Sequence, residues 1–281
     1  MSAPRPAEAS RPPRGSRKVA KPHFLESRPA PSPETLLASA LSGATKPLAF
    51  VLAGHNGSGK STLWYERLAD RLQLPLVNAD RLTLSILPES LPSWAQKLRD
   101  EDARWHKLSQ DGVGLFRQLI MAQRMPFAFE TVFSHWQRSA DGNWRSKADD
   151  IRDMQRAGYF VVLLFVGLTS PSLSVLRVQT RKRKGGHDVP LQKLLDRFPR
   201  TQAAVGHAAP IADMTLMFDN SRSTDKAFAL VRAQRKRKVL YDARDPAFNV
   251  DPELRAVADP WLDRVCGPAR ATPRLRKPAR R

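Results

Sequence analysis

One stretch, Leu52 to Leu63, reads L-A-G-H-N-G-S-G-K-S-T-L and constrains this chain more than any other. Within it, Gly54 to Ser61 satisfies G-x-x-x-x-G-K-[ST], the pattern of a loop that wraps a polyphosphate. Backbone N–H groups from Gly54, His55, Asn56, Gly57, Ser58 and Gly59 are expected to point inward and form an anion nest, continued by Lys60, Ser61 and Thr62 at the start of a helix. Lys60 is then expected to reach the β- and γ-phosphates, and Ser61 to offer its hydroxyl to Mg²⁺. The context fits. An apolar run, Leu48 to Ala53, precedes the loop, and Ser61 to Ala69 follows it with helical spacing. Strand, loop and helix in that order are what the motif requires, so ATP and Mg²⁺ are the expected cofactors.

Further apolar runs alternate with helically spaced segments. They are Leu74–Val77, Phe127–Phe129, Tyr159–Val166 and Met214–Phe218. Strands that alternate with helices predict an α/β domain, with a central parallel sheet covered by helices on both faces. The expected fold class is a three-layer P-loop kinase-like fold over residues 33–250. A hairpin at Ala227–Ala233 and Val239–Tyr241 is expected at its periphery. Ligands in such sheets bind beyond the carboxyl ends of the strands. The polar residues that directly follow the runs are therefore the candidates. They are Lys60 and Ser61, then Asn78 and Asp80, Glu130 and Thr131, Gly167 and Thr169, and finally Asp219, Asn220 and Ser221.

Two carboxylates, Asp80 and Glu130, are thus expected near a bound γ-phosphate, an arrangement that suits a kinase. Asp80 has an ordinary alternative as a helix cap. Phosphoryl transfer also needs cations around the transferred group. Arg177, Arg181, Lys182, Arg183, Lys184 and Arg197 flank Gly185-Gly186, so a closing lid is expected there, although most of that run reads as solvated helix face. Asp219-Asn220-Ser221 reads equally well as a turn.

Charge is unevenly distributed. The formal net charge is +20, and residues 1–30 together with 267–281 contribute +11 of it. Residues 1–32 are proline-rich and cannot bury a core, so a disordered basic tail is expected. Residues 251–281 read as a C-terminal extension, basic and disordered from 267. Basic tails admit a nucleic-acid contact, the less favoured reading beside simple solvation. A single cysteine, Cys266, excludes an internal disulfide and a zinc cluster. There is no apolar run of membrane-spanning length and no secretory leader, so no membrane partner is expected and the cytoplasm is the expected compartment.

At this level of detail the chain resembles the zeta toxins, kinases of toxin–antitoxin pairs. The resemblance rests on G-H-N-G-S-G-K-S-T, N-A-D-R at 78–81, F-A-F-E-T-V-F-S at 127–134 and G-Y-F-V-V-L-L-F-V-G-L at 158–168. It continues through R-V-Q-T-R-K-R-K-G-G-H-D-V-P at 177–190, R-F-P at 197–199 and F-D-N-S ending at Ser221. The resemblance implies an ATP-dependent kinase that phosphorylates a hydroxyl of a UDP-activated amino sugar, typically UDP-N-acetylglucosamine, and so blocks use of a cell-wall precursor. It implies that Lys60 holds the ATP phosphates and that Asp80 is the catalytic base. Asn78, Glu130 and Thr131 would belong to the sugar-nucleotide site, and Arg177, Arg181 and Arg197 would stabilise the transferred phosphate. An antitoxin protein is the implied partner. His55 and Ala79 stand where the family often has proline, and the basic tails lie outside the family pattern. A kinase on NAD, a nucleoside, an antibiotic or a polynucleotide 5′-end would use the same parts. A nucleotide-dependent nucleic-acid-binding module is the alternative from another class.

Overall fold

In a computed structural model, residues 28–42, 45–88, 90–183 and 189–269 are described. The chain begins with β1 (Arg28–Pro29), α1 (Pro33–Leu41) and β2 (Leu48–Gly54), which leads through the glycine-rich loop into α2 (Lys60–Leu63). The same helix continues through one π-helical segment (Trp64–Leu68) to α3 (Ala69–Leu72), followed by β3 (Leu76–Val77), α4 (Ala79–Ile86), α5 (Ser93–Glu101) and α6 (Ala103–Ala122). Then come β4 (Phe127–Thr131), a hairpin of β5 (Trp136–Arg138) and β6 (Trp144–Ser146), α7 (Ala148–Arg156), β7 (Phe160–Gly167) and α8 (Pro171–Arg183). The last elements are α9 (Leu191–Ala208), β8 (Met214–Asp219), β9 (Ala229–Arg235), β10 (Lys238–Asp242), β11 (Phe248–Asn249) and α10 (Pro252–Cys266).

Seven strands form the main sheet in the order β10-β9-β8-β7-β2-β4-β3. From β8 to β3 the neighbours run parallel, which accounts for the unbroken apolar runs, since such strands are buried on both faces. Val161 to Val166 on β7 and Ala49 to Ala53 on β2 are all essentially inaccessible to solvent. The sheet differs from expectation at one edge. β9 and β10 form the expected hairpin, but it is no peripheral addition. β9 pairs antiparallel with β8 and carries buried Leu230, Val231 and Ala233. The chain is therefore a mixed α/β fold with a mostly parallel sheet flanked by helices.

Both expected domain limits move outward. Arg28–Pro29 pairs in parallel with Phe248–Asn249, so the ordered chain starts before residue 33; the rest of the expected N-terminal tail, 1–27, lies outside the described residues. At the other end, α10 is part of the domain. Asp251 accepts from the Glu253 N–H at 2.9 Å and Pro252 occupies the first turn, so the helix has a proper start. Leu254, Ala258, Trp261 and Leu262 then enter the main core. Pro260 looks like a helix breaker in sequence, yet it sits inside this helix, and tertiary burial outweighs its local cost. Buried Arg244 ties the helix end down by donating to Asp242, to Asp263 at 2.6 Å and to the Gly267 carbonyl at 2.8 Å. The expected disorder from 267 concerns mainly 270–281, which lie outside the described residues, as does the Gly185-Gly186 hinge.

α9 and α10 touch closely at Gly206, where an added Cβ would collide with the backbone carbonyl of Val265. Gly206→Ala should therefore destabilise the protein by about 1–3 kcal/mol. Urea unfolding is expected to show a lower midpoint at unchanged slope. An unchanged midpoint would mean that α10 is not part of the cooperative unit.

Candidate active site

Parallel register assembles this site. β2 lies between β4 and β7, which places Leu52 opposite Glu130, Ala53 opposite Thr131, and Gly54 opposite Val166. Val77 pairs with Phe129, so Asn78 leaves β3 beside Glu130. The loop between β2 and α2 thus stands at the centre of the sheet's carboxyl edge, with polar strand ends on either side.

The loop is braced from several directions. The Asn220 amide donates to the Ser58 carbonyl at 2.8 Å, and the Ser174 hydroxyl of α8 donates to the Asn56 carbonyl at 2.7 Å. Gly59 has φ 93°, and a Cβ there would lie 2.6 Å from the Asn220 amide nitrogen; both facts demand glycine. Asn220 is thus a buried brace of the phosphate loop as well as a member of a turn. Neither it nor Ser174 stands out as such in sequence, because each acts across more than a hundred residues. Asp219 is occupied structurally: it accepts from the Trp261 indole N–H at 2.9 Å and from the Ser221 hydroxyl and N–H.

Lys60 is buried and donates to the His55 carbonyl at 3.0 Å, within its own loop. Burial pushes its ammonium below the ordinary lysine range, while Glu130 and Asp80 pull it back up and Arg181 and Arg197 push it further down. One buried cation therefore feels both candidate carboxylates and two of the candidate arginines. The Ser61 hydroxyl donates to both Glu130 oxygens, at 2.9 and 3.0 Å. The Asn78 amide donates to Glu130 Oε2 at 2.7 Å. Glu130 thereby links the phosphate loop to the third element in this edge, the start of α4.

Asp80 is not the cap of α4. Asn78 is, accepting from the Asp80 and Arg81 N–H groups at 2.9 and 3.2 Å. The Asp80 carboxylate is exposed in the first turn of that helix, where the helix dipole favours negative charge. Arg197, half-buried on α9, is depressed by burial and by Arg200 and raised by Asp80. Arg177 on α8 packs against Gly57 of the loop, where an added Cβ would lie 3.1 Å from its Cβ, and is depressed by burial and raised by Asp219. Arg181 lies one turn further along α8 and is exposed. The Thr131 hydroxyl accepts from the Phe133 N–H at 3.3 Å, in the turn that leaves β4. Thr62 is exposed on the outer side of α2.

A divalent cation fits this donor set. Ser61 and Glu130 supply adjacent hard oxygens, while among the described residues no group of three or more His, Cys, Asp or Glu side chains could hold a metal alone. Mg²⁺ typically takes one or two protein oxygens and completes its shell with phosphate and water. No helix among the described residues is long and apolar enough to cross a membrane.

The chain is similar to several known proteins. An uncharacterized protein of Haemophilus influenzae is 28% identical over 139 residues, covering 50% of this chain and 84% of its own length. The crystal structure of the AvrRxo1-ORF1:AvrRxo1-ORF2 complex with sulphate ions superposes with a TM-score of 0.52 at 16% identity, covering 84% of this chain and 81% of that one. The same pair with ATP gives a TM-score of 0.50 at 15% identity, covering 83% and 81%. At such identities the likeness concerns the fold. The family model described as Zeta toxin matches residues 35–244, which takes in every strand of the main sheet and the whole of the braced phosphate loop. With most of its length matched, this chain belongs to the zeta toxin family.

Proposed function

We propose that this protein is an ATP-dependent kinase that phosphorylates a hydroxyl of a UDP-activated amino sugar, UDP-N-acetylglucosamine, and acts as a zeta-type toxin. The observation that carries the reading is the bonding of Glu130 to both Ser61 of the phosphate loop and Asn78, the residue that caps α4 beside Asp80. Lys60 now satisfies a carbonyl of its own loop, and it would exchange that partner for the β- and γ-phosphate oxygens of ATP. Asp80, exposed and clear of any capping duty, would accept the proton of the attacking hydroxyl. Arg181 and Arg197 would neutralise charge that spreads over the transferred group, with Arg177 against the loop at Gly57. Asn78, Glu130 and Thr131 border the acceptor side.

Ser61 and Glu130 would hold Mg²⁺, which when bound supplies charge neutralisation to the phosphates. Glu130 then serves both sides of the site, through Ser61 toward the donor and through Asn78 toward the acceptor. The AvrRxo1-ORF1 structures are complexes with a second protein, which supports an antitoxin as the partner of this chain. An activity that draws on ATP and UDP-sugars would belong in the cytoplasm.

Incubation with labelled ATP and a panel of UDP-sugars, NAD, nucleosides and oligonucleotides tests the acceptor. Label is expected on UDP-N-acetylglucosamine; transfer only to another acceptor would replace that substrate, and salt-sensitive nucleic-acid binding without transfer would replace the kinase reading. Lys60→Ala and Asp80→Asn should each lower the transfer rate by about 10²–10⁴-fold, with the fold retained by circular dichroism. Glu130→Gln should raise the Mg²⁺ concentration for half-maximal rate by about 10–100-fold. An unchanged Mg²⁺ titration would remove Glu130 from the metal site and leave it to the acceptor.

A further inference from the structure

His55 has a side chain that the phosphate loop does not need, since only its backbone belongs to the anion nest. That side chain is nonetheless buried to 2% exposure, and among the described residues neither ring nitrogen has a hydrogen-bond partner. A buried imidazole with two unsatisfied nitrogens is costly, so something must compensate. The compensation is aromatic. The ring stacks on Phe198 of α9 at 3.8 Å between centroids and 10° between planes, and meets the edge of Phe165 on β7 at 5.8 Å and 71°. Burial, reinforced by Lys60, lowers the imidazole to about 3, so it stays neutral and the stack never has to hold a charge.

Phe198 directly follows Arg197. It is followed in turn by Pro199, which lacks the N–H that would bond the preceding helical turn, so this part of α9 relies more heavily on side-chain packing. The Phe198 side chain is 3% exposed and faces the loop, while the neighbouring Arg197 guanidinium feels Asp80 and is felt by Lys60. We infer that His55 and Phe198 are positioning residues: their stack docks α9 on the phosphate loop and sets the distance between Arg197 and the transferred phosphoryl group. The inference rests on the kinase reading in taking Arg197 as a group that touches that phosphoryl.

ATP hydrolysis by the full-length chain, with Mg²⁺ and no acceptor, reads the donor side alone. His55→Ala should lower kcat by about tenfold or more while KM for ATP changes by less than about twofold. His55→Phe, which keeps a ring in the stack, should recover most of that loss, and Phe198→Leu should behave like His55→Ala. In an Arg197→Ala background, His55→Ala should change kcat by less than about twofold, because the group it positions is gone. Hydrogen exchange over 191–200 should rise in His55→Ala and not in His55→Phe, a readout that needs no turnover. Independent, multiplicative effects of His55→Ala and Arg197→Ala would overturn the inference, as would unchanged exchange in α9 or a His55→Phe variant no better than His55→Ala. If Arg197→Ala itself leaves hydrolysis unchanged, the role given to Arg197 in the kinase reading fails and takes this inference with it. A clear Arg197 effect without coupling to His55 defeats the inference alone.

Discussion

An ammonium group buried at the edge of a sheet is an expensive thing to build. Removing such a charge from water costs several kcal/mol unless charges and hydrogen bonds nearby replace the lost hydration. Lys60 is buried in this way, with one carbonyl as its hydrogen-bond partner and the carboxylates of Glu130 and Asp80 in its field. The surrounding structure follows from that need. Glu130 must stand near the end of the strand next to the loop, Asn78 must reach across from β3 to hold it, and Asn78 also caps α4, a duty that Asp80 does not take. The arginines act in the other direction, depressing Lys60 further. Cations and carboxylates thus meet around one buried ammonium, and the carboxylates act on it more strongly than the arginines.

Much of this was legible in the sequence because it obeys local rules. The phosphate loop is a contiguous pattern, and the long apolar runs of β2, β7 and β8 mark strands buried on both faces. Once those strands are parallel, polar residues just past each run must gather at one edge, and this brings Asp80 and Glu130 into the field of Lys60. The choice of Asn78 over Asp80 as the cap was less legible, since both residue types cap helices well. Only the observed bonds from the Asp80 and Arg81 N–H groups decide it.

What sequence did not reveal depends on contacts between distant segments. Asn220 bonds Ser58 across 162 residues and Ser174 bonds Asn56 across 118, so no local spacing could report either. α10 was hidden for a different reason: Pro260 and a dense set of charges mask five core positions, and the buried Arg244 that anchors its end lies before the helix in an unremarkable turn. The pairing of Arg28–Pro29 with β11 was masked by the proline-rich composition around it. In each case tertiary burial overrides a local signal that points toward loop or tail.

On the proposed kinase reading, the same distinction separates the donor and acceptor halves of the site. The donor half is held rigidly by β2, β8 and the braces from α8, and its chemistry is set by backbone groups and one lysine. The acceptor side is bordered by α4, which packs on α6 through a buried hydrogen bond between Thr83 and Ser109 at 2.5 Å. Beside Asp80 a small cleft is lined by Thr83, Leu84, Arg99 and His106, with Arg99 buried despite its charge. Polar side chains buried between helices are costly to maintain and are retained where they specify a geometry. A substitution in this lobe acts on the surroundings of Asp80 and not on the bonds that brace the phosphate loop. On the proposed kinase reading, this makes the α4–α6 lobe the part of the chain in which acceptor choice would be set.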